Sequence, residues 1–242
     1  MRFDPPLVPV TLLRRYKRFL ADVRFEDGRV EIAHCTNTGR MTGCSEPGSA
    51  AMVSPATNPD RKLRWTLRLV RVGRAWVSVD TMVPNRVVAE ALRRRRVPEL
   101  ADYDTVTTEV PFGPNRRSRI DVLLSDSAER LPPCYVEVKN VTLREGRVAR
   151  FPDAVSERGL KHLHELAGEV ARGHRAVLLP FVARADCDSF DAAPEIDPAW
   201  AAGLSAATAA GVELLPHRAR IDRHGISLGK RLPWDAATTA SA

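Results

Sequence analysis

Two carboxylates and one ammonium group are spaced so that they could hold a metal ion together. Glu137 and Lys139 lie two positions apart in one strand-like segment, and Asp121 lies in the segment before it. Side chains two apart on a strand share a face, and a hairpin between the segments would bring Asp121 beside them. If Val122 and Val138 both face the core, the three polar side chains all face the other way.

This set of side chains fits metal-assisted hydrolysis of a phosphodiester. Mg²⁺ or Mn²⁺ prefers carboxylate oxygens and water as ligands, and Asp121 and Glu137 would supply the carboxylates. A nearby lysine can orient or help deprotonate the attacking water, while the metal polarises the phosphate. The alternative is an ordinary surface ion pair between Glu137 and Lys139, worth under about 1 kcal/mol. Spacing alone does not decide between the two.

The first third of the chain, which precedes these residues, has the pattern of an all-β domain. Residues 19–25 alternate, with Phe19 predicted on the apolar face, and an Asp-Gly turn at 27–28 leads into a return strand. About five short strands in roughly 80 residues are typical of a small closed barrel of the OB type. The strands are predicted at 19–25, 30–34, 50–53, 63–72 and 75–79.

The rest of the chain mixes helices and strands, which predicts an α/β (α+β) domain with a mixed sheet and flanking helices. The predicted domains are a barrel at 1–81, the mixed domain at 82–234, and a disordered tail at 235–242. The strands are predicted at 107–110, 119–124, 134–139, 175–182 and 212–215, and the helices at 84–96, 160–170 and 198–210.

Composition limits which binding partners and which cellular compartment are expected for this protein. The 242 residues carry a net charge of +7 with 37 Lys and Arg, which favours a polyanion such as DNA or RNA. The alternative is that the many arginines reflect a compositional bias and that their charges only solvate the surface. The sequence contains no run of about 18 apolar residues, so no membrane span is predicted. The first residues also lack the apolar region of a secretory signal. We therefore expect a cytoplasmic protein.

The four cysteines show no CxxC spacing. At this chain length a disulfide framework is not expected, and buried free thiols are the favoured interpretation. The alternative is a zinc pair formed by Cys35 and Cys44, which lie close together in sequence.

Long ordered motifs also identify a family, because the sequence closely resembles the sugar fermentation stimulation protein family (SfsA). The resemblance implies an N-terminal OB-like domain, a C-terminal domain of the PD-(D/E)xK nuclease type, DNA binding and a link to sugar utilisation genes. Carried over by position, Asp121 is the central acidic ligand, Glu137 the second and Lys139 the motif lysine. Glu90 matches an acid that many such nucleases place beside the metal. The matching stretches are 12–23, 33–44, 84–92, 118–121, 135–139, 141–143 and 151–163.

Basic and small polar residues near these motifs are predicted to bind nucleic acid. The loop 34–44 could approach a phosphate backbone through its N–H groups, or it could be a tight turn that closes the barrel. Basic side chains beside it could form a strip on the barrel, and each of them could also be ordinary surface. The predicted residues are Arg15, Lys17, Arg18, Asn37, Thr38, Arg40, Arg119 and Lys161.

Two functions remain open from the sequence. The first is a magnesium-dependent nuclease that acts on DNA, or alternatively on RNA. The second is a non-catalytic DNA-binding regulator of sugar metabolism genes. The intact set of Asp121, Glu137 and Lys139 favours the first, and the family name favours the second. The sequence decides neither turnover nor the oligomeric state.

Overall fold

The computed structural model describes residues 1–58, 60–113 and 118–234, so the predicted tail at 235–242 lies outside the described residues. The first strands are β1 (Val8–Tyr16), β2 (Leu20–Arg24), β3 (Val30–Cys35), β4 (Ala50–Pro55), β5 (Trp65–Val72) and β6 (Ala75–Ser78). Next come α1 (Val83–Arg93), β7 (Thr105–Phe112), β8 (Ser118–Ser125), β9 (Cys134–Val141), β10 (Leu143–Glu145) and β11 (Val148–Phe151). The last elements are α2 (Glu157–Ala171), β12 (Arg175–Val182), β13 (Ser189–Ala192), α3 (Pro198–Ala209), β14 (Glu213–Leu214), β15 (His217–Ile221) and β16 (Ile226–Arg231).

Strands β1 to β6 form the predicted OB-like barrel. They follow the order β3-β2-β1-β4-β5-β6, and a parallel pairing of β3 with β5 closes the sheet on itself. Alternate side chains of these strands fill the interior. Leu12, Val23, Ala33 and Leu67 are completely buried there. The barrel fold predicted from the alternating pattern is therefore confirmed.

The sequence pattern failed at two places in the barrel. Strand β1 was not predicted. Its Pro9, which has no N–H to donate, is tolerated because residues 8–10 pair with β4 and not with β2. Phe19 was predicted on the same face as Ala21 and Val23, but those two residues are buried and Phe19 is 46% exposed. It follows a turn in which Lys17 and Arg18 take positive φ angles of 48° and 67°, so it precedes the regular alternation of β2.

The second domain is a mixed sheet with helices on both faces, as predicted. Its order is β16-β15-β12-β9-β8-β7, with β14 beside β12. Strands β7, β8 and β9 are antiparallel neighbours, whereas β12 runs parallel to β9 after the crossover through α2. Helix α1 packs on the face that includes Val122 and Val138. Helices α2 and α3 pack on the other face, around Leu163, Leu178 and Trp200.

Local signals place the helices close to the predicted positions. Pro84 lies in the first turn of α1, and the predicted apolar face of that helix is buried. Helix α2 begins after Ser156, whose Oγ accepts a hydrogen bond from the Gly159 N–H. It ends before Gly173, which takes a φ of 83°. No helix in the described part of the chain combines the length and apolar character needed to cross a membrane.

Backbone contacts attach the barrel to the mixed domain. The Ser78 N–H at the end of β6 donates to the Ala183 carbonyl just after β12, at 2.8 Å. Arg184 forms a backbone bridge with Val77 of β6. Within the mixed domain its buried side chain donates to the Thr142 carbonyl at 2.8 Å and pairs with Asp186. Strands β10, β11 and β13 form a small additional sheet beside this joint. The barrel is therefore held close to the strands that carry the predicted site.

Candidate active site

Asp121 lies at the point where β8 and β9 separate. The pairing of these strands runs from Leu124 to Val122 and does not continue to Asp121. Its Oδ2 instead accepts a hydrogen bond of 2.7 Å from the Val138 N–H on β9. Its Oδ1 accepts one of 2.6 Å from the Asn85 side chain on α1. Val122 and Val138 are both in the core, as expected. Asp121, however, lies beyond the end of the β8–β9 pairing and not opposite a residue of β9.

Glu137 is the most enclosed acid of the predicted set. Its residue exposure is 3%, and it faces α2 on the opposite side from Val136 and Val138. Its Oε1 lies 2.7 Å from the Lys139 Nζ and 2.5 Å from the His162 Nδ1. Its Oε2 is buried and has no hydrogen-bond partner among the described residues. One oxygen of this carboxylate is thus fully engaged, and the other is left for a ligand that binds oxygen.

The two acids interact electrostatically. Burial, followed by the negative charge of Glu137, raises the pKa of Asp121 to about 7, against the opposing effects of the Val138 N–H and Lys139. Burial also opposes ionisation of Glu137, but the hydrogen bond from His162 and the charge of Lys139 outweigh it and lower the Glu137 pKa. One ammonium group therefore faces two carboxylates, the buried Glu137 and the half-buried Asp121, and the site is short of positive charge.

This shortage is what a divalent cation would remove. Two carboxylates, of which the buried Glu137 has an unpartnered oxygen, are the hard donors that Mg²⁺ and Mn²⁺ take, with water completing the shell. Asp121 and Glu137 therefore fit such an ion. Across residues 1–58, 60–113 and 118–234, no three His, Cys, Asp or Glu side chains are grouped as a complete metal set.

The structure does not bring Glu90 into that pair. Its carboxylate lies 3.0 Å from the Met1 amino group and 3.0 Å from Arg94. It does share a cleft with Asp121, so its role as a third ligand stays a prediction.

That cleft gives access to the site. It has a volume of about 370 Å³ and lies between α1 and the strands β7 and β8, with Asp121 among its lining residues. Arg86 and Arg93 also line it, seven positions apart on α1, which places them about two helical turns apart on one side of the helix. A polyanionic strand entering the cleft would meet these two arginines at its wall.

Two residues predicted to bind nucleic acid, Arg15 and Asn37, make structural contacts, and their role in binding stays a prediction. The Arg15 guanidinium donates through Nη2 to the carbonyls of Arg18, Asn37 and Gly39, each at 2.8 Å. The Asn37 side chain is buried, and its Oδ1 accepts a hydrogen bond from the Gly39 N–H. In this structure both residues fix the loop that joins β3 to β4, because that loop needs partners for its own backbone groups.

Other predicted contacts lie on the surface. Lys17, Arg18, Thr38 and Arg40 are exposed, at the β1–β2 turn and on the adjoining loop. Their role in binding nucleic acid stays a prediction.

The remaining two predicted residues flank the mixed sheet. Arg119 is exposed and donates to the Glu109 carbonyl at 2.7 Å. Lys161 donates to the Ser118 Oγ at 3.1 Å, and its side chain is 57% exposed. Both keep donors that could reach a phosphate.

Sequence reasoning missed two members of the site, His162 and Asn85. His162 was left without a role because it and His164 lie two apart on a helix. The signal that could have found it is its place on the buried side of α2, one position before Leu163, where a polar side chain needs a partner. Asn85 was read only as part of a helix start. No sequence signal connects it with Asp121, which lies 36 positions away.

The cysteines are free and buried, as the favoured interpretation expected. Burial raises the pKa of Cys44 to about 11 and also raises that of Cys35. The Cys44 thiol contacts the Met41 carbonyl and the Cys35 thiol contacts the Asn37 carbonyl. These buried thiols pack the loop against the barrel.

Comparison with known proteins agrees with this architecture. The domain family described as "SfsA N-terminal OB domain" matches residues 13–79, and "Sugar fermentation stimulation protein RE domain" matches residues 82–225. The chain is 51% identical to the sugar fermentation stimulation protein homolog of Paramagnetospirillum magneticum over 235 residues, covering 97% of this chain and 98% of that protein. It is also 51% identical to the Rhodospirillum centenum homolog over 237 residues, covering 98% of this chain and 100% of that one.

A solved structure is similar over the same extent. It is that of Pyrococcus furiosus SfsA in complex with Ca²⁺, with a TM-score of 0.84, 29% sequence identity and 96% of each chain covered. The OB-like barrel and the mixed sheet with flanking helices, both predicted from the sequence, therefore occur together in a related structure. On the domain matches and the full-length relatives together, this chain belongs to the sugar fermentation stimulation protein (SfsA) family.

Proposed function

We propose that this protein is a divalent-metal-dependent phosphodiesterase that cuts DNA. Asp121 and Glu137 would hold Mg²⁺ or Mn²⁺. The observation that carries the proposal is the pair of carboxylates, the buried Glu137 and the half-buried Asp121, that one lysine leaves short of positive charge, with the pKa of Asp121 raised to about 7. A buried charge of this kind is costly unless it is paired or binds a metal.

The protein's own residues have distinct parts in this reaction. Asp121 is held in place by Asn85 and by the Val138 N–H, and Glu137 by Lys139 and His162. A bound divalent cation supplies polarisation of the phosphate and stabilisation of the leaving oxygen. The Lys139 Nζ can donate a hydrogen bond to the attacking water or to a phosphate oxygen. The cleft beside α1 admits the substrate to Asp121.

Two further observations support the proposal. The related Pyrococcus furiosus SfsA was solved in complex with Ca²⁺, a cation that takes oxygen ligands as Mg²⁺ does. The net charge of +7 favours a polyanionic substrate. DNA is the proposed substrate, and RNA is the alternative that the same chemistry would accept.

A second candidate function is DNA binding without turnover, as a regulator of sugar metabolism genes. One observation favours it: the Glu137 carboxylate already has two partners, Lys139 and His162, without a metal. A site that is partly satisfied in this way can hold its shape as a binding surface.

The experiment that separates the two functions is a cleavage assay with single- and double-stranded DNA and RNA, in Mg²⁺, Mn²⁺ or EDTA. We expect metal-dependent cutting, and we expect Asp121→Ala and Glu137→Ala to abolish cutting while binding persists. Asp102→Asn, which changes an exposed acid before β7, is the matched control and should cut normally. If wild-type protein binds DNA but cuts none of the substrates with metal present, the regulator is the correct function.

A further inference from the structure

A second cavity lies between the barrel and the mixed domain, lined by four arginines. Its volume is about 140 Å³, and it is lined by Arg2, Arg61, Arg68 and Arg86 together with Ser54 and a single acid, Asp4. The space is sufficient for several water molecules. An excess of guanidinium groups around an enclosed polar space is the usual composition of a phosphate site, because a guanidinium donates to two phosphate oxygens at once.

The arginines of this cavity keep free donors. Arg68 is fixed by Ser54, through Nε at 2.8 Å, and by the buried Asp80, through Nη1. Within the described residues its Nη2 has no partner, so the guanidinium is oriented but not saturated. Arg61 donates from Nη1 to the Thr66 Oγ1 at 3.0 Å. The side chain of Arg86 makes no hydrogen bond or ion pair with any described residue.

The positive field at this joint also acts on a neighbouring histidine. The pKa of His34 is lowered, first by burial and then by repulsion from Arg61, with Arg68 adding to the effect and Asp80 opposing it. The nearby buried acid thus does not cancel the charge of the two arginines. An anion would reduce the repulsion among them.

The cavity adjoins the cleft of the candidate active site, because the two spaces share lining residues. Arg86, in the first turns of α1, lines both spaces, as does Met1. A strand whose scissile phosphate lies at Asp121 would therefore pass Arg86 and reach the barrel at Arg61 and Arg68. We propose that this cavity binds a backbone phosphate of the nucleic acid strand beyond the cleavage point, so that the barrel and the mixed domain hold one strand together.

This inference rests on the proposed nucleic-acid substrate, and its test does not depend on cutting. In an Asp121→Asn background, binding of fluorescent oligothymidylates of increasing length is measured against salt for Arg61→Ala, Arg86→Ala and the double variant. Arg74→Ala, in the turn at the far end of β5, is the matched control. Arg68 is left unchanged because its loss would strand the buried Asp80.

The expected result is a loss of affinity of about tenfold or more per arginine, as for a lost charge-assisted hydrogen bond. The slope of log K against log salt should also fall by about 0.7 per arginine on single strands. The deficit should appear only with strands long enough to leave the cleft, and Arg74→Ala should bind normally.

Three results would overturn the inference. These are unchanged binding by the double variant, a deficit that depends only on a 5′-terminal phosphate, and no binding of nucleic acid by the parent protein. Failure of the nuclease proposal is a different result, in which the protein binds but the Asp121-containing form never cuts. Circular dichroism of each variant excludes loss of the fold.

Discussion

The clearest test of the charge imbalance is to remove one of the two acids from the metal-free protein. Asp121→Asn keeps the size of the side chain and an oxygen that can accept from the Val138 N–H. It removes the negative charge that burial and Glu137 oppose. We therefore expect this substitution to stabilise the protein at pH 8 in EDTA, although it should abolish cutting. Functional sites often carry such a stability cost.

The magnitude and its pH dependence follow from the pKa of Asp121. The folded value of about 7 lies about three pH units above the ordinary 3.8, and each unit corresponds to about 1.4 kcal/mol. Between these pH values the folded state binds more protons than the unfolded state, so the free energy of unfolding falls as pH rises from about 4 to about 7. Between these pH values the wild-type protein should lose up to about 4 kcal/mol of unfolding free energy. In Asp121→Asn, a weakened hydrogen bond to Asn85 would offset roughly 1 kcal/mol of the stability gained.

The assay is urea unfolding at pH 5 and pH 8 in EDTA. Wild-type protein should lose stability between these pH values through Asp121, and Asp121→Asn should lack that loss. Asp126→Asn, on the segment after β8, is the matched control. Because the hydrogen bonds from Arg130 hold the Asp126 pKa well below its usual range, this variant should be less stable than wild type at pH 8. Greater stability of wild type than of Asp121→Asn at pH 8 would refute the reasoning.

Three further predictions concern the residues around the site. His162→Ala should weaken Mn²⁺ binding, measured by calorimetry, by about 10- to 100-fold, because His162 orients Glu137. His162→Asn should restore part of the lost affinity, and His164→Ala should have no effect. Equal affinities in all variants would argue against a positioning role for His162. Arg15→Ala should lower the free energy of unfolding by roughly 2 kcal/mol, because three loop carbonyls lose their donor, whereas Arg18→Ala should unfold like wild type and instead weaken DNA binding. The affinity of the wild-type protein for DNA, measured by fluorescence anisotropy, should fall steeply with salt because phosphate contacts release counterions; a flat response would exclude nucleic acid as the partner.

The sequence by itself determined the fold class, the three helices and the central strands β8, β9 and β12. Strict alternation with short turns specifies a small barrel, and a strand-helix-strand order specifies a mixed sheet, because each pattern leaves one way to bury its apolar face. The same local rules identified Asp121, Glu137 and Lys139, since strand periodicity fixes which neighbours share a face. Local rules failed at Phe19. The residues before it, Lys17 and Arg18, take positive φ angles, so β2 begins only after Phe19.

Tertiary structure alone decided what surrounds those residues. The split between β8 and β9, the contact of Asn85 with Asp121 and the contact of His162 with Glu137 join segments that are far apart in sequence. It also decided that Arg15 holds a loop, and that Arg61 and Arg86 meet in one cavity. Periodicity describes a side chain relative to its own strand or helix. Burial, pKa and pairing depend on which other element packs against it, and the packing of the whole chain settles that choice.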